Sequence, residues 1–169
     1  MNFSTILLER ISYHLLRRGE TISICESATS GALQLAFSQM PDAQNFYKGG
    51  LTIFNNNQLK LLDINNNDKD QIFVSRKGAE ELSIEIGKQF SSDWAIAITG
   101  CITPTEEFNN QIFAHYSISY KNVIIRSDKI ELHPLTKAWD AQKYFAEYVL
   151  SCLRCELKHE HMTKDRTYA

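Results

Sequence analysis

The chain has 169 residues, of which 43% are hydrophobic, 22% charged and 11% aromatic. This length and balance are typical of one globular domain with its own core, and the sequence has no apolar run of about 18 residues, so we expect neither a membrane-spanning nor a disordered protein. Eighteen basic and twenty acidic residues leave a formal charge of −2, which provides no positive field to hold a nucleic-acid backbone.

Two features of the sequence indicate the cellular compartment in which we expect the protein. Charged residues, among them Glu9 and Arg10, interrupt the apolar residues after Met1 at helical spacing, which is not the pattern of a signal peptide. The cysteines are too few and too unevenly spread for a disulfide framework. We therefore expect a cytoplasmic protein with four reduced thiols, namely Cys25, Cys101, Cys152 and Cys155.

The first part of the chain predicts a helix, a strand and a second helix. Leu7, Ile11 and Leu15 recur on one helical face, with Ser4 as the N-cap and Gly19 as the end. Residues 21–25 alternate polar and apolar side chains, as a strand does. The polar turn at 26–31 then leads into a helical pattern at Leu33, Phe37 and Met40, which Pro41 stops.

The middle of the chain continues the alternation of strands and helices. Residues 46–54 predict a strand that is entered through a glycine pair, and a short helix follows around Leu59. The polar run 65–70 predicts a surface loop. Ser75 is the expected N-cap of a long helix, and the strand at 94–99 is apolar nearly throughout, which indicates a central position in a sheet.

The last part predicts an antiparallel hairpin and a final helix. Residues 112–119 and 123–130 pair about a Lys121-Asn122 turn, and Thr136 opens the helix. This order of elements predicts an α/β fold in which a mixed sheet carries helices on its faces. We expect a single domain over residues 1–160 and a polar C-terminal tail over residues 161–169.

Two turns are the candidate sites of chemistry, because ligands of open α/β sheets gather where strand ends meet helix N-termini. Residues 26–31 read Glu-Ser-Ala-Thr-Ser-Gly and join a strand to a helix. Residues 99–104 read Thr-Gly-Cys-Ile-Thr-Pro and follow the most apolar strand. Taken alone, the first turn is more typical of an N-cap cluster than of a site, and the second is more typical of an ordinary glycine turn.

Four segments together resemble the family of the C-terminal domain of the competence-damage-inducible protein CinA, whose members are nicotinamide-nucleotide amidohydrolases. The family motif E-S-C-T-G-G corresponds to residues 26–31, and G-x-V-T-Y-S-N-x-x-K corresponds to residues 49–58 without a gap. The family's V-S corresponds to Val74-Ser75, and T-G-I-A-G-P corresponds to residues 99–104. The likeness extends over about residues 3 to 155 in the same order.

This resemblance implies a three-layer α/β/α sandwich that hydrolyses the amide of nicotinamide mononucleotide to the acid and ammonia, without metal or cofactor. Such a reaction needs a nucleophile, a base and donors for the oxyanion. By match to the motif, Ser27 is the implied catalytic nucleophile. The implied substrate-binding residues are Glu26, Thr29, Ser30, Gly31, Gly49, Thr52, Asn55, Thr99, Gly100 and Lys137.

The departures from the family pattern affect the positions that the resemblance implies for catalysis and phosphate binding. The tyrosine and lysine that activate the family's serine correspond to Ile53 and Gln58, and neither accepts a proton usefully near neutral pH. Ser30 replaces a glycine of the phosphate-binding turn, and Ala141 stands where an arginine is expected, so phosphate recognition is weakened. Other departures are Ile102-Thr103, Ile112-Phe113 and Leu135-Thr136, while Lys137 keeps a positive charge.

Replacement bases and a metal site are alternatives that the sequence leaves open. Lys60, Tyr47, Lys48 and His115 are candidates for the lost base, although a lone histidine in an alternating strand is more often just half-exposed. A zinc site is conceivable on spacing at Cys152, Cys155 and His159, but three ligands from one helix do not complete a closed tetrahedral site. Two small cysteines on a helix flank explain the same pattern, and we expect no metal.

Three hypotheses about function follow. The first is a CinA-like nicotinamide-nucleotide amidohydrolase with weak or lost activity, and the second is a non-catalytic small-molecule-binding or interaction module on the same fold. The third is an amidase with a changed substrate and a relocated base. The expected partners are a pyridine-nucleotide small molecule and further copies of the chain in a homo-oligomer.

Overall fold

A computed structural model describes residues 2–62 and 74–165, and in residues 56, 57 and 159–165 it describes the backbone alone. The polar run at 65–70, expected to be a loop, lies outside the described residues. The elements within these ranges follow in chain order. They are α1 (Thr5–Arg18), β1 (Ile22–Glu26), α2 (Ala32–Ser38), β2 (Tyr47–Thr52), α3 (Arg76–Phe90), β3 (Trp94–Cys101), β4 (Ile112–Tyr120), β5 (Val123–Leu132) and α4 (Ala138–Asp165), with short 3₁₀ helices at Ala43–Asn45, Asn56–Leu62 and Glu106–Phe108.

The sheet has five strands in the order β2-β1-β3-β4-β5. The β2, β1 and β3 strands run parallel, whereas β4 and β5 are antiparallel to their neighbours. The predicted mixed sheet is therefore confirmed, and the apolar strand β3 lies at its centre, where both faces are covered. Trp94, at the start of β3, is fully buried, and its indole N–H donates to Glu20 at 2.8 Å.

Helices cover both faces of the sheet and so form the three layers expected of the fold. The larger core lies under α1, α2 and α4 and includes Ile24, Ile98 and Phe145. The smaller core lies under α3 and the 3₁₀ helix Asn56–Leu62, and it includes Ile53 and Ile86. Alternate residues of β1, β3 and β4 point to opposite faces, so the parity of a residue in its strand decides which core it joins.

Several predicted ends of elements are confirmed by local geometry. The Ser75 hydroxyl accepts the backbone N–H of Gly78 at 3.0 Å and caps α3. Gly19 ends α1 with a φ of 61°, a conformation that glycine adopts without strain. Lys121 and Asn122 both have positive φ, as the tight turn between β4 and β5 requires.

The last helix differs from its predicted start. The N–H of Thr136 bonds to the carbonyl of His133 in a turn, and the first helical bond runs from Ala141 to Lys137. The helix therefore begins at Ala138, two residues later than predicted. It continues to Asp165, beyond residue 160. In the described ranges, no helix combines the length and apolarity needed to cross a membrane.

Candidate functional site

Ser27 stands at the carboxyl edge of the sheet, between β1 and α2. Its backbone N–H donates to the carbonyl of Ile98 at 2.9 Å, which extends the pairing of β1 with β3 by one residue. Its hydroxyl donates to Oγ1 of Thr99 at 3.3 Å. Ser27 is half-buried, whereas Thr99 is completely buried. The hydrogen bond to Thr99 therefore holds the serine hydroxyl at the edge of the sheet.

A cleft of about 510 Å³ opens at this edge of the sheet, within the range of small-molecule sites. Four of the predicted site residues line it, namely Ser27, Ser30, Asn55 and Gly100. The other lining residues are Ala28, Phe54, Val74, Cys101, Ile102, Thr103, Glu107 and Phe108. The two candidate turns therefore meet, as their places after neighbouring strands indicate.

Glu26 is a cap of α2 rather than a wall of the cleft. Its side chain is fully buried and accepts the backbone N–H groups of Leu33 and Gln34, each at 3.1 Å. The hydroxyl of Thr29 donates to the same carboxylate at 2.5 Å. A carboxylate placed here satisfies donors of the first helical turn and interacts favourably with the helix dipole. The hydrogen bond between Thr29 and Glu26 therefore fixes both side chains inside the turn.

Ser30 and Gly31 shape the start of α2 through left-handed backbone conformations. Ser30 has a φ of 48° and Gly31 a φ of 95°, and such values favour glycine over residues with a Cβ. Ser30 is exposed, and its hydroxyl donates to the carbonyl of Ser27 at 3.1 Å. Gly31 lines a second hollow of about 200 Å³ beside Trp139, not the cleft itself.

Gly100 is required by the sheet. A Cβ at this position would lie 2.2 Å from the carbonyl oxygen of Phe113 and 2.6 Å from the Cα of Ala114. Strand β4 therefore approaches β3 too closely for any side chain at this residue. The glycine shapes the cleft because this close approach fixes where the turn after β3 begins.

Three further predicted site residues, besides Glu26, Thr29, Gly31 and Thr99, lie outside the cleft lining. Gly49 packs against the ring of Phe90, which a Cβ would approach to 3.1 Å. Thr52 accepts the side-chain amide of Gln34 at 2.7 Å. Lys137 is exposed on the loop before α4. None of these three is among the residues that line the cleft.

The two positions of the family's activating side chains have structural roles here. Ile53 is 1% exposed and belongs to the core under α3. The side-chain oxygen of Gln58 accepts the backbone N–H groups of Phe54 at 2.6 Å and Asn55 at 3.2 Å. One position is therefore apolar and buried, and the other is committed to the turn that forms a wall of the cleft.

The alternative bases lie outside the cleft lining. Lys60 and Lys48 are exposed, and Tyr47 packs against Phe37 with ring centroids 5.6 Å apart. Burial and the charge of Glu26 raise the pKa of Tyr47 above its usual range, so its phenol keeps its proton near neutral pH.

His115 is the alternative base that lies in register with Thr99, the partner of Ser27. It faces Thr99 in the register of β3 and β4, and the bond from the Ser27 N–H to Ile98 extends the β1–β3 pairing so that Ser27 falls in the same row. Its Nδ1 is buried and has no hydrogen-bond partner within the described part of the chain. Burial, followed by the charges of Lys129 and Arg76, lowers the pKa of His115.

The conceivable metal site is not formed by the described side chains, among which no cluster of three His, Cys, Asp or Glu is placed to hold an ion. Cys152 is buried, and its sulfur lies 3.4 Å from the Tyr116 hydroxyl. The side chain of His159 lies outside the described residues. Cys25 is also buried, and burial raises the pKa of its thiol above the usual range.

Much of the apolar lining of the cleft, and its one carboxylate, were not predicted from the sequence. Phe54, 79% exposed, follows β2, while Glu107 and Phe108 belong to the 3₁₀ helix after β3. The available signal was the position of these side chains just beyond strands whose carboxyl ends meet at one edge. That signal was weak because single exposed aromatic residues are common on protein surfaces.

The family of this chain is identified by comparison with known proteins. Residues 4–122, more than half of the chain, match the family model of the CinA C-terminal domain. A CinA-like protein of Prochlorococcus marinus is 39% identical over 99 residues, which cover 54% of this chain and 22% of the relative. One of a Synechocystis species is 34% identical over 101 residues, covering 55% and 24%. The chain therefore belongs to the CinA C-terminal domain family.

Solved structures of the superfamily share the fold. A CinA superfamily protein from Klebsiella pneumoniae superposes with a TM-score of 0.80 at 20% identity, covering 94% of this chain and 99% of that one. One from Enterobacter cloacae gives 0.82 at 18% identity, covering 93% and 95%. The three-layer fold is thus that of the CinA superfamily. The chain spans less than a quarter of the length of the two curated relatives described above.

Proposed function

We propose that this domain binds a small molecule of the pyridine-nucleotide class in the cleft at Ser27 and has lost the amide hydrolysis that the family resemblance implies. The hydrogen bond of the Ser27 hydroxyl to Thr99 carries the proposal. A threonine hydroxyl does not take a proton from serine near neutral pH, because a neutral alcohol oxygen is far too weak a base. The serine is therefore positioned but not activated.

The surroundings of Ser27 support this loss. Within the described part of the chain, no lysine, tyrosine or histidine lines the cleft. Ile53 and Gln58 occupy the positions of the activating pair, and the first is buried while the second caps a turn. Amide hydrolysis by a serine needs a base within hydrogen-bond reach, directly or through one water. The cleft retains a volume suited to binding without that base.

Two measurements on the purified chain test the proposal. The first follows ammonia release from nicotinamide mononucleotide by the wild type and by Ser27→Ala. The second follows thermal shift of both proteins with nicotinamide mononucleotide and with nicotinamide riboside. We expect equal background ammonia release and a ligand-dependent shift with at least one compound. Turnover that Ser27→Ala abolishes, or the absence of any shift, would contradict the proposal.

A hydrolase with a relocated base is the second candidate, and the row formed by Ser27, Thr99 and His115 is the observation that favours it. Because its pKa is lowered, His115 is neutral near pH 7 and able to accept a proton. This candidate predicts ammonia release that both Ser27→Ala and His115→Gln remove. Release unaffected by His115→Gln would exclude His115 as the base.

A further inference from the structure

The described residues that line the cleft carry one negative charge and no positive one. Among the described residues that form it, Glu107 is the only one with a formally charged side chain, and no Lys or Arg is present. Lys137 and Lys60 are exposed elsewhere and do not line the cleft. Among the described lining residues a phosphate group would meet a carboxylate and no cation, whereas phosphate sites are normally built from Arg, Lys or free backbone N–H groups.

The backbone N–H groups at the start of α2 do not make up for the missing cations, because protein acceptors already occupy them. Those of Leu33 and Gln34 donate to the carboxylate of Glu26. Those of Ser30 and Ala32 donate to carbonyls of the same turn. Glu26 also places a negative charge at the end of the helix where an anion would otherwise be favoured. The turn therefore offers a phosphate neither these donors nor a positive field.

The cleft offers aromatic surface instead. Phe54 is 79% exposed, and its backbone is held by the side chain of Gln58. Phe108 packs edge-on against Phe113 with ring centroids 5.5 Å apart, which fixes the orientation of its ring. Aromatic faces bind planar rings and are attracted to cations. A ring with a positive charge would meet two phenyl side chains and the carboxylate of Glu107.

We infer that the cleft selects a planar aromatic cation without a phosphate, of the class of an N-substituted pyridinium nucleoside. The inference rests on the proposed function, since it names the ligand class of the same cleft. The ring contacts Phe54 and Phe108, and its positive charge is balanced by Glu107. The hydroxyls of Ser27 and Ser30 serve as hydrogen-bond partners for the amide or sugar of the ligand.

Calorimetric titration of the intact chain with nicotinamide riboside and with nicotinamide mononucleotide tests this inference, because the two compounds differ only in the phosphate. We expect the riboside to bind about fivefold more tightly, which is the upper range for the effect of an exposed charge. The difference should shrink as salt is added, since exposed charges are screened.

Charge variants locate the origin of the preference. Glu107→Gln is expected to reduce the advantage of the riboside at least about twofold. Glu106→Gln is the matched control, because Glu106 is exposed in the same 3₁₀ helix but does not line the cleft. An equal effect of both variants would overturn the role given to Glu107.

Aromatic variants test the ring contact. Phe54→Ala is expected to weaken riboside binding about fivefold or more, as loss of an aromatic stacking partner does. Phe54→Tyr should retain binding, because it keeps an aromatic face. Trp139→Ala is the control for an exposed aromatic residue outside the cleft, and it should leave the affinity unchanged. Full riboside affinity in Phe54→Ala would overturn the ring contact.

The outcomes separate this inference from the proposed function. Tighter binding of the riboside than of the mononucleotide supports both the inference and the proposed function. Equal or tighter binding of the mononucleotide overturns the inference and leaves the binding function standing. No binding of either compound overturns the proposed function and, with it, the inference.

Discussion

Gln58 holds the turn that carries Phe54 into the cleft: its side-chain oxygen accepts the backbone N–H of Phe54 at 2.6 Å. The neighbouring N–H of Asn55 reaches the same oxygen at 3.2 Å. A residue at the position where the family resemblance implies a catalytic lysine thus satisfies two backbone donors here. The exchange removes a candidate base and at the same time fixes one wall of the cleft.

The first prediction concerns this contact. Gln58→Ala leaves both N–H groups to solvent, so we expect a loss of about 0.5–1.5 kcal/mol in the free energy of unfolding. Ligand affinity should fall as well, because Phe54 and Asn55 line the cleft. Gln58→Glu keeps the acceptor oxygen and should retain both properties. Urea denaturation and calorimetric titration measure them, and an alanine variant with normal affinity would contradict the role of Gln58.

The second prediction concerns Glu26. Glu26→Gln replaces one buried acceptor oxygen with an NH₂ group that faces backbone donors of α2, so we expect a destabilisation of about 1–3 kcal/mol. Glu107→Gln changes an exposed carboxylate in the same way and should alter the free energy of unfolding by less than about 0.5 kcal/mol. Urea midpoints that move equally in the two variants would show that Glu26 does not cap α2.

The third prediction concerns Gly100. A Cβ at this residue would clash with the backbone of β4, which cannot move aside as a flexible side chain does. Gly100→Ala should therefore destabilise the fold by about 1–3 kcal/mol or more. Cys101→Ala, at the next residue, is the control: it removes a half-buried thiol and its contact with the carbonyl of Thr103 at 2.8 Å, and it brings no new atom against β4. Thermal denaturation compares the two. A stable Gly100→Ala variant would contradict the close approach of the strands.

The fourth prediction concerns the pH dependence of stability. The folded pKa of His115 lies below its ordinary value of 6.5, because burial and the charges of Lys129 and Arg76 outweigh the opposing charges of Asp128 and Glu131. Below about pH 6.5 the unfolded chain therefore binds a proton that folded His115 resists, and the folded state loses stability as the pH falls.

Replacement of His115 checks this sign. His115→Gln should reduce the loss of stability between about pH 7.5 and pH 5.5, where an unperturbed histidine titrates. His133→Gln is the control, because His133 is exposed on the loop after β5. Urea titrations at the two pH values give the comparison. An acid-side loss that is unchanged in His115→Gln would contradict the lowered pKa.

Much of the fold is predictable from local pattern. The unbroken apolar run that starts at Trp94 indicates a strand covered on both faces, and β3 is central. Ser75 and the Lys121-Asn122 pair predict a cap and a turn because each acts through its own backbone neighbourhood. The start of α4 was placed too early, at Thr136, because a hydroxyl residue is a typical cap in sequence but here bonds within a preceding turn.

The candidate site is less predictable, because its chemistry depends on where side chains point. Ser27 and Gly100 were placed by motif, and the structure brings both to the cleft. Glu26 shares the same motif, yet the parity of β1 turns its carboxylate toward α2. Glu107 belongs to no motif, and its place in the lining depends on the 3₁₀ helix that follows β3.

The most direct test of the account is detection of nicotinic acid mononucleotide by mass spectrometry after incubation of the wild type and of Ser27→Ala with nicotinamide mononucleotide. The predicted result is the same trace of product from both proteins, since the Ser27 hydroxyl donates to Thr99 and meets no base among the residues that the structure describes. Sustained product formation by the wild type that disappears in Ser27→Ala would contradict the central claim and show that the serine is activated.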